Sequence, residues 1–362
     1  MNRRIRSVLL WLAMACGPLA LQPSSLYAQS AAAGHWEYDP AGIATPAFIY
    51  DTLPTAFNPL TATDSELDQY GLPPRPKTDD VAHLARWQRQ VIAARVTPTV
   101  EFTKLYAGPV AGRRISGGTA TSFNWSGYVD FNVSTPPFIN SGSLAAGNWV
   151  VPEVTQGTCS STTSYLLQWV GMDGWEDSAD VLQAGSMETS TNCESGSSDY
   201  TTWYEWYPNS ITKISTGMRV LDDLEVEVWY TSTSPHGHAW YDDQTRSTYT
   251  TIGFNPPSGT TFVGNSLEWI VERPTESGSL SNLADYGTQS ITNADGEDGI
   301  GGTVAPESSN SSYAITFQPV SMVCPPWNPS SSCSVSNTVI SQVGAVTDTY
   351  DFTTQAEPPA AP

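Results

Sequence analysis

Leu166-Leu167-Gln168-Trp169-Val170-Gly171-Met172-Asp173-Gly174 opens the stretch that decides the fold. Val181-Leu182-Gln183-Ala184-Gly185 and Thr202-Trp203-Tyr204-Glu205-Trp206-Tyr207-Pro208 complete it. Apolar and aromatic residues alternate with a few polar ones, and Gly, Ser and Asp break the runs. That pattern predicts three short strands of one sheet. Its polar residues are unusual. Gln183 shares a face with Val181, and Glu205 stands between Trp203 and Tyr207 on an aromatic surface. A second stretch, Ser266-Leu267-Glu268-Trp269-Ile270-Val271-Glu272-Arg273-Pro274, has the same character. Period-two alternation puts Leu267, Trp269 and Val271 on one face and Glu268, Ile270 and Glu272 on the other.

Working outward, residues from about 119 to 355 read as short strands with turn signals. Leu224, Val226, Val228 and Tyr230 alternate with Glu225 and Glu227, and no long helix interrupts them. The expected fold class is therefore all-β, a β-sandwich rather than a βαβ fold. Residues 31–118 differ. They are rich in proline and carry one helical pattern, 79–95, in which Val81, Leu84, Trp87 and Val91 recur at helical spacing. We read this part as a pro-segment whose basic helix lies on an acidic body, with Arg113-Arg114 as a processing site. Residues 1–30 read as a secretory leader: Arg3, Arg4 and Arg6 precede an apolar run too short to span a bilayer, and small residues follow. Residues 356–362 form a Pro/Ala tail.

Charge divides at the same boundary. Up to residue 118 there are 11 Lys/Arg against 9 Asp/Glu; beyond it there are 4 against 27, for a chain net charge of −21. So acidic a body excludes nucleic-acid binding through phosphates. It suits acid, because few positive charges remain to repel one another once the carboxylates are protonated. Once the leader is removed, Cys159, Cys193, Cys324 and Cys333 remain, an even number in an exported chain. Two disulfides are expected, with 159–193 and 324–333 favoured because both close local loops.

The usual nucleophile sets are missing. There is no Gly-x-Ser-x-Gly elbow, and the body's two histidines, His236 and His238, lie in Ser234-Pro235-His236-Gly237-His238, which reads as a solvated loop. Asp295-Gly296-Glu297-Asp298-Gly299 lacks the spacing of a calcium loop and reads as a solvated turn. No metal and no cofactor are expected. What remains is carboxylates and amides on aromatic strands.

Five segments carry them in order: Asn124-Trp125-Ser126-Gly127-Tyr128, Trp169 to Gly174, Leu182 to Gly185, Trp203 to Pro208, and Glu268 to Glu272. This series resembles the glutamic peptidases, the eqolisin family, over roughly residues 122–320. The resemblance implies a concanavalin-like sandwich of two large antiparallel sheets and a secreted, acid-acting endopeptidase made with a pro-segment. By motif position the catalytic residues fall on Gln183 and Glu272, and Trp169, Asp173 and Glu205 fall on positions lining the cleft. The implied partners are protein or peptide substrates, with the chain's own pro-segment as intramolecular inhibitor, in a monomer that binds no membrane. Arg273-Pro274 departs from fungal members, which carry acidic or aromatic residues there, and the leader and pro-segment composition point to a bacterial member.

The chemistry agrees with the likeness. Peptide hydrolysis needs a base for water, a donor for the oxyanion and an acid for the leaving amine. A carboxylate with a reference pKa near 4.3 stays partly ionised in acid, whereas a His base would be protonated, and a Gln does not titrate. The competing reading is a sugar-binding sandwich, since exposed Trp and Tyr also stack on sugars.

Overall fold

The computed structural model describes residues 32–77, 81–108, 114–116, 119–132, 139–157, 162–175, 178–191, 198–324, 332–342 and 345–354. Two large, mainly antiparallel sheets dominate it, of 11 and 12 strands among the described residues. In the first, which we call the cleft sheet, Ser198–Tyr207, Val181–Ser190, Ser164–Met172, Ser266–Glu272 and Trp125–Phe131 are consecutive neighbours. The three strands expected between Leu166 and Pro208 are thus side by side, in register from Trp169 opposite Gly185 to Gln183 opposite Glu205. The second sheet places Thr248–Phe254, Gly237–Asp243, Asp223–Tyr230, Leu144–Val150 and Thr288–Glu297 side by side.

Period-two alternation sorts the side chains. One face of each sheet meets the other in a core that includes Trp149, Trp206, Trp269, Tyr204, Tyr241, Val226 and Leu182. Polar tips buried there find partners across the sandwich, as burial demands. The Trp149 indole donates to Ser186 Oγ (3.0 Å), that of Trp269 to the Ala146 carbonyl (2.8 Å), and the Tyr241 hydroxyl to the Trp203 carbonyl (2.6 Å). The other face of the cleft sheet carries Trp125, Trp169, Trp203, Met187, Val181 and Ile270.

Residues 32–108 are built into this sandwich and wrap round one edge of it. Ala47–Tyr50 pairs with Thr248–Phe254 in the second sheet, and Gly34–Glu37 lies outermost on Ala47–Tyr50. Helices Asp64–Gln69 and Val81–Gln90 cover the outer face of that sheet, where Leu67, Leu72, Trp87 and Val91 pack with Trp229, Trp240 and Tyr249. The chain then crosses the sandwich edge, and Thr99–Phe102 becomes the outermost strand of the cleft sheet against Thr212–Ser215.

Several expectations change here. Among the described residues the segment holds two helices, not one. The short helix Asp64–Gln69 starts at a capping box: Thr63 Oγ1 accepts from the Glu66 N–H (3.3 Å) and Glu66 Oε2 accepts from the Thr63 N–H (2.7 Å). The expected 79–95 helix is ordered only as Val81–Gln90; residues 78–80 lie outside the described set. Its C-terminal end is lost because Ala94–Arg95 pairs with Thr248–Tyr249 instead, ahead of Pro98. His238 is not in a solvated loop. It is fully buried in Gly237–Asp243, stacked on Trp229, and its Nδ1 is 2.7 Å from the Tyr50 hydroxyl. Burial pushes its pKa down to about 3. Asp295 and Glu297 belong to the strand Thr288–Glu297, and the turn begins only at Asp298, which accepts from the Ile300 (3.0 Å) and Gly302 (2.8 Å) N–H groups. Cys159 and Cys193, the side chain of Cys333, and Arg113 lie outside the described residues, as do the leader and the tail. Among the described residues no helix is long and apolar enough to cross a membrane.

Candidate active site

Gln183 and Glu205 are direct cross-strand partners, so both project from the same face of the cleft sheet. Glu272 reaches that face from the other side of Ser164–Met172, opposite Leu167 and Trp125. A single strand separates the Gln183 strand from the Glu272 strand. All three polar side chains are fully buried.

Each is held by specific donors. The Gln183 amide nitrogen donates to Glu205 Oε2 (2.8 Å), which fixes the amide so that its NH₂ points along the cleft. Its Oε1 has no hydrogen-bond partner among the described residues. Glu272 Oε2 accepts from the Trp169 indole (2.9 Å), and Oε1 accepts from Asn124 Nδ2 (2.7 Å). The Asn124 amide is itself oriented: Ser122 Oγ donates to its Oδ1 (3.0 Å), leaving only the NH₂ to face Glu272. Behind it, Arg273 donates through Nε (2.8 Å) and Nη2 (2.5 Å) to the Phe123 carbonyl, pinning the backbone before Asn124. The residue that departs from the fungal pattern therefore supports the site from behind rather than lining it.

What occupies the cleft is the chain itself. Leu105–Tyr106 pairs with Thr275–Glu276, and the Leu105 carbonyl accepts from the Ile211 N–H (2.8 Å). The next peptide unit lies across the site. The Ala107 N–H donates to Glu205 Oε2 (3.0 Å), and the Ala107 carbonyl accepts from the Gln183 amide. The Gly108 N–H donates to Glu272 Oε1 (3.2 Å), and the Gly108 carbonyl accepts from Asn124 Nδ2 (2.6 Å). One peptide bond thus has an amide donor at its oxygen and a carboxylate at its nitrogen.

Electrostatics follow from this enclosure. Burial raises the Glu272 pKa well above the usual carboxylate range, against the hydrogen bonds of Asn124, Trp169 and Gly108, which favour the ion. Glu205 is raised likewise, first by burial and then by the nearby charge of Glu272. Two carboxylates this close do not both ionise readily.

Of the five residues singled out from the sequence, Gln183, Glu205, Trp169 and Glu272 come together. Asp173 is engaged elsewhere. At φ +67° it accepts from the N–H groups of Val263 (2.6 Å), Gly264 (2.7 Å) and Asn265 (3.0 Å), organising the loop that enters the Glu272 strand. Burial pushes its pKa up to about 7 against those donors. Glu268 lies opposite Gly171, two residue pairs beyond Ile270, and does not join the group. Asn124 joins it without having been assigned a role. Its position in Asn124-Trp125-Ser126-Gly127-Tyr128 was the available signal.

Comparisons with known proteins agree on one family. Residues 123–338 match the profile of the Peptidase A4 family. Aspergillopepsin-2 of Aspergillus niger is 31% identical over 205 residues, which is 51% of this chain and 67% of that protein. Among solved structures, scytalido-glutamic peptidase with a peptide-based transition-state analog aligns over 63% of this chain and 98% of its own, at 20% identity and a TM-score of 0.43. Aspergilloglutamic peptidase from Aspergillus niger aligns over 52% and 99%, at 27% identity and a TM-score of 0.40. Superpositions this loose carry no weight beside the sequence matches. The sugar-binding reading gives way, and Trp125, Trp169 and Trp203, the cleft-face tryptophans, are buried rather than offered to a sugar. By the match over residues 123–338 and the likeness to Aspergillopepsin-2, the chain belongs to the Peptidase A4 (eqolisin) family and is a glutamic endopeptidase.

Proposed function

We propose that the chain is an acid-acting endopeptidase in which Gln183 and Glu272 form the catalytic dyad. The observation that carries this reading is the peptide unit lying between them, with the Gln183 amide at its carbonyl and the Glu272 carboxylate at its nitrogen. The ionised form of Glu272, the form favoured by its Asn124, Trp169 and Gly108 donors, takes a proton from water as the water oxygen adds to the carbonyl carbon. The Gln183 NH₂ donates to the oxyanion, while its Oε1 helps hold the water. The protonated Glu272 then passes its proton to the departing amine. Glu205 and Trp169 act as positioning residues, the first for the Gln183 amide and the second for the Glu272 carboxyl.

Residues 1–30 act as a leader for export, 31–118 as a pro-segment that inhibits in cis, and 119–355 as the peptidase body of a monomer stabilised by disulfides 159–193 and 324–333. Asp173 shapes the cleft through the loop it holds. Occupation of the cleft by Ala107 and Gly108 supports the inhibitory role. So does the anchoring of the Val81–Gln90 helix through Arg86 on Glu225, whose carboxyl burial raises above its ordinary range, so that it gains a proton as the pH falls.

The test is digestion of a denatured protein near pH 4. Glu272→Gln and Gln183→Ala each lose at least about 100-fold in rate, the scale set by removing one oxyanion donor or the general base, with circular dichroism unchanged. Full activity in either folded variant ends the reading.

A further inference from the structure

We propose that the Ala107–Gly108 peptide bond is itself a substrate of the dyad, cut in cis, and that this cut, not one after Arg113 or Arg114, frees the cleft. The proposal rests on the dyad reading above and extends it from a general activity to one named bond.

An inhibitory segment need only fill a cleft. This one presents a bond in reacting register. The chain enters extended, tied on one side to Thr275–Glu276 and on the other to Ile211, in the way a peptide adds to a sheet edge. Residue 107 meets the site through three atoms at once: its N–H to Glu205, its carbonyl to Gln183, and its methyl buried in the apolar cluster of Leu105, Trp203 and Trp169. Residue 108 is gripped at both backbone groups, N–H to Glu272 and carbonyl to Asn124. Every polar atom of the bond to be broken is therefore matched to the group its cleavage requires.

The step balances as a hydrolysis. Water adds through oxygen to the Ala107 carbonyl carbon while Glu272 accepts its proton. The C–N bond to Gly108 breaks, and Glu272 returns the proton to that nitrogen. One water is consumed, and the products are a carboxyl on Ala107 and an amine on Gly108.

Side-chain space around the bond is narrow. Ala107 has no exposed surface, and a Cβ placed on Gly108 would run into the Tyr207 ring. The same contacts favour substrates with small residues flanking the cut, glycine above all on the amine side.

The full chain is brought to pH 4 and followed by intact mass and terminal sequencing over time. The expected first products end at Ala107 and begin at Gly108, and they appear at a rate independent of protein concentration. Glu272→Gln gives neither product, and Gly108→Val slows this cut about 100-fold, the cost of misplacing a reacting bond by about an ångström. Cleavage at this bond by the Glu272→Gln variant overturns the proposal. An intact Ala107–Gly108 bond in a preparation that digests denatured protein overturns the self-cleavage and leaves the dyad standing. A preparation that digests nothing overturns both.

Discussion

Asn124 holds the two halves of the site together at the scale of a single residue. One NH₂ group serves the Glu272 carboxylate and the Gly108 carbonyl, and its orientation is imposed by Ser122. Asn124→Ala should therefore cost peptide hydrolysis about 10-fold or more, chiefly in kcat, and move the acid limb of the pH–rate profile upward. The sign follows from the bond removed: Asn124 donates to the carboxylate, so it favours the ion and lowers the pKa of Glu272. A profile that keeps its position while the rate falls would make Asn124 merely structural. That Gln183 and Glu272 meet on one face of the sheet was legible only through the ordered motif series, since an amide or a carboxylate on an aromatic strand does not mark a site by itself. The role of Asn124 was not, because it depends on Ser122 turning the amide and on residue 108 arriving from elsewhere in the chain. His238 misled for a similar reason. The turn-like Ser234-Pro235-His236-Gly237 hides that its ring is buried against Trp229 and the hydroxyl of Tyr50, far away in sequence.

The element whose loss should be felt most is the helix Val81–Gln90. Arg86 projects from it into a buried acidic nest on the second sheet. Its Nε lies 3.0 Å from Glu225, and its Nη atoms bond Asp295 at 3.0 and 3.2 Å. Glu225 is fully buried, so taking away Arg86 leaves its charge with only the Gln244 amide (2.7 Å) and the field of Arg89, and breaking a buried pair costs up to about 3–5 kcal/mol. Arg86→Ala should loosen the helix at neutral pH, visible as faster limited proteolysis within residues 81–90 and as premature activity. Arg86→Lys should fall between, since one ammonium cannot satisfy two carboxylates in fork geometry. Proteolysis and activity unchanged in Arg86→Ala would remove the helix from the proposed inhibitory role. The helix itself was readable from the spacing of Leu84, Trp87 and Val91, but its end was not, because pairing of Ala94–Arg95 with another strand overrides local propensity. The capping box at Thr63 was written in the sequence and marks a helix of only 6 residues.

Across the whole molecule, buried carboxylates set the response to pH. Burial pushes Glu188 and Glu227 up to about 8, and Asp173, Asp242 and Glu297 up to about 7. Each keeps a proton in the folded state that the unfolded chain gives up near pH 4, so its contribution is complete below that value and is lost as pH rises toward 7–8. His238, neutral in the fold with a pKa of about 3, acts oppositely, withdrawing stability as pH falls from about 6.5. Five acids outweigh one imidazole. The Tm of the uncleavable Glu272→Gln protein should climb between pH 8 and pH 5; a flat or falling curve would contradict the burial described here. The sandwich was legible from alternation alone, yet the place of residues 32–108 in it was not, because strand partners distant in sequence leave no local signature. That placement has a lasting effect. Gly34–Glu37 and Thr99–Phe102 are terminal strands of the two sheets. A chain severed after Ala107 and stripped of its first part bares unpaired backbone along one border of each sheet. On the proposed cut, maturation would be a ratchet: a body without those strands would keep its shape through the height of its unfolding barrier, and once melted it would lack the template on which those borders were laid down.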